Sequence, residues 1–220
     1  MWVVRDADSE VYLFGTLHLL QDGADWRTPA FEKAYERADA VWFETRVDAD
    51  PAATRALMAK YAVDPDSRLT GKLSPRALKA FKPLLRKEKI AIEHVETLRP
   101  WAAAMMLSVQ PMQSRGYSVE RGADAVITRA ATTAAKPVRT FESFEDQIRF
   151  LAELPEVAAV QYLEDVIEEQ ANPRGEAWTL QQAWIDGDID ILADALVDDM
   201  RRNRPQLYEV LLKRRNEAWT

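Results

Sequence analysis

The chain has 220 residues, 47% of them hydrophobic, and a formal net charge of −7 at pH 7. That is enough apolar material to bury a core in one domain, and the negative balance argues against an overall positive field for nucleic acid or an anionic membrane. There is no cysteine, which excludes disulfides, zinc–thiolate centres, iron–sulfur clusters and cysteine nucleophiles.

In chain order, the first segment reads as a hairpin. Trp2-Val3-Val4 and Val11-Tyr12-Leu13-Phe14 are β-rich, and Asp6-Ala7-Asp8-Ser9 between them is turn chemistry. Gly15 and Thr16 end the second strand, and Gly15 gives the backbone freedom to turn or to approach a ligand. His18 follows among leucines, one of only two histidines. After a polar loop, Thr28 caps a helix opening on Pro29, with Phe31, Ala34, Tyr35 and Ala38 on one face. The run AVWFE then ends on Glu44.

The middle is helical: DPAATRALMAKYAV, SPRALKAFKPLLRKE with Pro83 kinking or splitting it, and PWAAAMMLSVQ. These helices, from about Asp50 to Tyr117, lack intervening strands and read as an inserted cap over a cleft. A helix from Gly122 to Ala135 follows, and VRTFE is a further strand, ending on Glu142. The remainder is helical: FEDQIRFLAEL, PEVAAVQYLEDVIEEQ, EAWTLQQAWIDGD, IDILADALVDD and PQLYEVLLKRRNEAWT.

Strands alternating with helices predict an α/β fold, helix-rich overall. It has a small central, mostly parallel sheet flanked by helices and a helical cap, all in one domain over 1–220. In such sheets ligands sit outside the carboxyl ends of the strands. His18, Glu44 and Glu142 all fall there. One imidazole and two carboxylates suit a divalent metal, or a metal-free acid and base. Each also has a plainer role: a histidine after a strand often serves a turn or core, and a glutamate at a strand end is often a surface charge. His94, in KIAIEHVE, has exposed-looking neighbours and is not counted as a ligand. No P-loop, GxGxxG, GxSxG or HExxH is present. The seven tryptophans suit packing, with Trp26, directly after His18 in the loop, a candidate pocket wall. No stretch approaches the roughly 20 apolar residues of a membrane span, and the opening MWVVRDADSEVYLF reads as structure rather than as a signal peptide.

These residues carry a family likeness. YLFGTLHLL, with Gly15-Thr16-Leu17-His18, resembles the Gly-x-x-His opening of the TraB/PrgY/GumN family, which is similar to the Tiki proteins. The likeness continues through FEKAYERADAVWFE and through RGADAVITRAATTAAKPVRTFESFEDQIRFLAELP, with Gly122, Asp124, Lys136, Pro137, Glu142 and Gln147. It ends in LLKRRNEAW, with Arg215 and Asn216. The resemblance covers nearly the whole chain. It implies a core related to the erythromycin-esterase and haem-uptake ChaN-like folds and, for Tiki-like members, a divalent-metal-dependent peptidase. The family pattern has a second Gly-x-x-His after the Arg-Asn helix, and this sequence contains no other Gly-x-x-His. That departure puts metal binding by the single chain in question and suggests an unpaired sheet edge, hence a homodimer.

The expectation is thus a metal-dependent, peptidase-like hydrolase. His18, Glu44 and Glu142 would hold manganese, cobalt or zinc, and Glu44 or Glu142 would be the general base. Arg215 would hold a substrate carboxylate or an oxyanion, with Asn216 donating a hydrogen bond nearby. Arg215 equally suits a favourable charge in the last turn of a helix. The substrate would be a peptide or other small molecule, with no nucleic acid or membrane span involved. The location would be periplasmic or extracellular with a leader removed, or else cytoplasmic. The alternative is a non-catalytic module that sequesters a peptide or haem in the same cleft; a further one is a scaffold in which His18 is structural.

Overall fold

The structure, a computed structural model, describes residues 1–45, 51–172 and 177–219. It begins with the expected hairpin. β1 (Trp2–Arg5) and β2 (Glu10–Leu13) pair antiparallel, Trp2 opposite Leu13 and Arg5 opposite Glu10. Asp6 makes the turn, accepting from the backbone N–H of Ser9 at 2.7 Å. α1 (Pro29–Arg37) starts at Thr28, whose hydroxyl accepts from the Phe31 N–H at 3.2 Å, and it buries Phe31 and Ala34. β3 (Val41–Phe43) and β4 (Val138–Thr140) form a parallel pair, Val41 opposite Val138 and Phe43 opposite Thr140.

The strands therefore make two two-stranded sheets among the described residues, one antiparallel and one parallel. Alternating hydrophobicity says that a segment is extended but not which neighbour it joins, so the sequence pattern did not separate β2 from the β3–β4 pair.

Between the strands run α2 (Pro51–Tyr61), α3 (Leu69–Lys72), α4 (Pro75–Lys87), α5 (Glu93–Glu96), α6 (Pro100–Ser114) and α7 (Ala123–Thr133). Asp50, expected to open α2, lies outside the described residues, as does Glu176, expected to open a later helix. α4 is capped by the Ser74 hydroxyl, which accepts from the Ala77 N–H at 3.2 Å. It continues through Pro83 as one element. Lys79, whose carbonyl loses its helical donor to Pro83, is an exposed residue. His94 is exposed on α5.

After β4 come α8 (Phe144–Ala152), entered through a capping box of Ser143 and Asp146, then α9 (Glu156–Ala171) and α10 (Ala177–Asp186). The chain ends in α11 (Ile189–Ala193), α12 (Asp199–Asn203), α13 (Pro205–Tyr208) and α14 (Arg214–Trp219). A π-helical turn over Asp194–Asp198 joins α11 to α12, and another over Glu209–Lys213 joins α13 to α14.

The largest core lies between α4, α6 and α9, around Phe81, Leu107, Leu163 and Ile167. The helices read as a cap therefore pack directly on the later helix α9. A second cluster joins Trp101 of α6 to Ile148, Leu151 and Leu207. The third gathers around β3, α1 and the start of α7: Leu20, Trp26, Phe31, Phe43, Ala123 and Ile127. Trp26 is 6% exposed and packs against Phe14, Phe31 and Trp184, so its body belongs to this core. No helix among the described residues is long and apolar enough to cross a membrane.

Candidate functional site

The segment after β2 is stitched to the start of α7. Leu20 and Ser118 exchange backbone hydrogen bonds at 3.3 and 3.0 Å, and the Ala123 N–H donates to the Leu17 carbonyl at 2.9 Å. Gly122 lies between these bonds, against the backbone of His18. From the other side, the Trp184 indole N–H donates to the Gly15 carbonyl at 2.7 Å. Gly15 itself has open space and no positive φ. The glycine that local geometry demands is Gly122, where a close approach leaves no room for a Cβ.

This stitching sets Asp124, in the first turn of α7, beside the histidine. Asp124 Oδ2 lies 2.8 Å from His18 Nδ1, and Asp124 Oδ1 accepts from the Thr16 hydroxyl at 2.9 Å. The side chain of His18 is 66% exposed and that of Asp124 30%. The imidazole thus stands at an open rim with one nitrogen engaged from below. The hydrogen bond to Asp124 raises the His18 pKa above its usual value; burial opposes this, the charges of Asp124 and Glu44 add to it, and Arg215 reduces it. Burial pushes the Asp124 pKa up, but the bonds and charge from His18 and the Thr16 hydroxyl outweigh it, and the net shift is downward. Each shift favours the charged form of its group. In the sequence Asp124 stands out only as part of Gly-x-Asp, an acid in the first turn of a helix.

The two glutamates come together as the parallel strands predict. The ladder of β3 and β4 runs on past the strands: the Phe141 N–H donates to the Phe43 carbonyl at 3.1 Å and the Glu142 N–H to the Glu44 carbonyl at 3.0 Å. Between their carboxylates lies the guanidinium of Arg215, from α14. Its Nη2 donates to Glu44 Oε2 at 3.0 Å and also to Glu142 Oε1, while its Nε donates to Glu142 Oε2 at 3.3 Å. The side chains of Arg215 and Glu142 are 11% and 6% exposed; that of Glu44 is 50% exposed. Burial opposes the charge on Arg215, but the two carboxylates outweigh it and raise its pKa further. The guanidinium also lies 5.0 Å from the ring of Trp219. Asn216 is exposed on the same helix.

His18, Glu44, Glu142 and Arg215 thus share one end of the molecule, in two subsets: His18 with Asp124 and Thr16, and the two glutamates with Arg215. Among the described residues no three histidine, aspartate or glutamate side chains converge closely enough to share a metal ion. The donor set of His18, Glu44 and Glu142 does not fit a divalent ion as it stands, because Arg215 engages both carboxylates. Lys136, which the sequence pattern also singled out, serves the frame: its ammonium donates to the carbonyls of Tyr35, Glu36 and Ala38 at 2.6, 3.1 and 2.5 Å, closing the end of α1.

The fold and site are those of a helix-rich α/β protein with a histidine, an acid pair and a buried arginine at the strand ends. The chain belongs to the TraB/PrgY/gumN family, whose model matches residues 1–220. No curated protein and no solved structure matches it.

Proposed function

We propose that the chain is a hydrolase acting on peptide-like substrates, with His18 as the group that moves the proton. The observation that carries this reading is the His18–Asp124 pair at an open rim. With Nδ1–H donating, an ionised Asp124 would fix the ring and leave Nε2 for a reacting proton. In its neutral form Nε2 can take a proton from a water attacking a carbonyl; as imidazolium it can return that proton to the leaving group. The upward shift of the His18 pKa favours the imidazolium that the second step needs. Arg215 is already held by Glu44 and Glu142, so it is not placed to hold a substrate carboxylate as well. The test is turnover of a mixed peptide library, read by mass spectrometry, for the wild type, His18→Gln and Asp124→Asn. Cleavage lost in the first and reduced in the second supports the reading; equal cleavage in all three removes it.

A second reading, a binding module for a peptide or haem, is favoured by the exposed rings beside the carboxylates. Trp42 and Phe141 are 49% and 51% exposed, their centroids 5.3 Å apart, and Phe141 stacks on Trp219 at 5.5 Å. Such a ledge suits a flat apolar group. Binding without turnover, seen as a Soret band with haem or as retained uncleaved peptide, would favour this reading.

A further inference from the structure

We infer that Arg215 is the resident cation of the Glu44–Glu142 pair and that its guanidinium occupies the place a divalent ion would need. Two carboxylates at adjacent ends of parallel strands repel each other unless a positive charge lies between them. Here the charge is supplied within the chain. Arg215 uses Nε and Nη2 on the buried Glu142 and Nη2 on Glu44, and its Nη1 donates to the Leu211 carbonyl at 3.3 Å. Its own side chain is almost fully enclosed. A hard divalent ion needs several oxygen donors free at once, and here every Glu142 oxygen and one Glu44 oxygen already accept from the guanidinium.

The helix that carries Arg215 is built to deliver it. Leu207, Val210 and Arg215 are the buried residues along this stretch. From Val210 the inward position four residues on would be Arg214, which is exposed. The π-helical turn over Glu209–Lys213, in which the Arg214 N–H donates to the Glu209 carbonyl five residues back, adds one residue to the turn. Arg215, five after Val210, then takes the inward position. Arg215 is accordingly a positioning residue, which ties α14 to the strand ends and fixes both carboxylates. This assignment does not depend on whether His18 turns over a substrate.

The experiment is a Mn2+ titration of the full chain, followed by the electron paramagnetic resonance signal of the free ion, for the wild type, Arg215→Lys and Arg215→Met, with circular dichroism to confirm folding. The wild type and Arg215→Lys, which keeps the charge and is the safer variant to fold, are expected to leave the Mn2+ signal unchanged. Folded Arg215→Met is expected to bind Mn2+ at least about tenfold more tightly than the wild type, because its carboxylates lose their counter-ion. Wild-type Mn2+ binding that Glu44→Gln weakens would overturn the assignment. So would Arg215→Lys binding as well as Arg215→Met, or a folded Arg215→Met that gains nothing.

Discussion

Gly122 lies against the main chain of His18: a Cβ at residue 122 would stand 2.1 Å from the His18 carbonyl oxygen and 2.6 Å from its carbonyl carbon. Both obstacles are backbone, so no side chain can swing aside. Gly122→Ala is expected to force apart the segment after β2 and the start of α7 and to cost about 2 kcal/mol or more. The contrast is Gly71→Ala in α3, where the nearest atom is the Arg68 Cβ at 3.8 Å; helix propensity there predicts a gain of up to about 1 kcal/mol. Urea denaturation of both variants checks the pair. Equal effects of the two would show that the close approach to His18 carries no cost.

The ionic pair of His18 and Asp124 gives stability a pH dependence. The folded-state pKa of His18 is raised, so its contribution is full below the ordinary histidine value of 6.5 and is lost as pH rises through the folded value. The folded-state pKa of Asp124 is lowered, so its contribution is present above the ordinary 3.8 and is lost as pH falls through the folded value. The wild type is therefore expected to exceed Asp124→Asn in urea midpoint by a clearly larger margin at about pH 6 than at about pH 9. Exposure of the imidazole keeps the effect modest. A margin independent of pH would mean that the two side chains are not ionically coupled.

Much of this frame was legible in the sequence because its determinants are local. Thr28 and Ser74 announce their helices by caps three residues ahead of the N–H they satisfy, and Glu44 and Glu142 fall side by side because both follow short strands joined by a parallel register. The partnerships across the site were not legible. Asp124 is separated from His18 by 106 positions and Arg215 from Glu44 by 171, and nothing in residue spacing selects those pairs. The reading of Arg215 as a substrate clamp and of both glutamates as ligands treated the three groups separately. Their meeting turns each into the other's counter-charge. The buried face of α14 was hidden for another reason: periodicity assumes a uniform helix, and one π-helical turn shifts every later residue.

Lys136 is expected to matter for stability although it lies away from His18. Its ammonium satisfies three carbonyls at the end of α1 and lies 4.9 Å from the Tyr35 ring. Lys136→Met keeps the length and loses the donors. Thermal or urea unfolding is expected to show a loss of about 1–3 kcal/mol, the range for leaving partly buried polar groups unsatisfied. The Mn2+ response and the His18 resonances are expected to stay as in the wild type. A variant as stable as the parent would show that water replaces the ammonium without cost.

The π-helical turn before α14 makes a prediction in which deletion is milder than insertion. Removing Lys213, which is exposed and pairs among the described residues with Glu209 and Glu217 of the same stretch, leaves Arg215 four residues after Val210. That is the ordinary α-helical spacing, so the turn can relax to regular helix while Arg215 still points inward. Inserting an alanine between Lys213 and Arg214 instead carries Arg215 about 100° further round the helix. Glu142, with its side chain 6% exposed, would then be left buried without its cation, at a cost of about 3–5 kcal/mol. Urea unfolding is expected to rank the deletion close to the wild type and the insertion far below it. The deletion variant is also expected to stay silent to Mn2+. If both changes destabilise equally, the extra residue is not what aims Arg215, and the packing of Leu207, Val210 and Leu211 sets the helix in place.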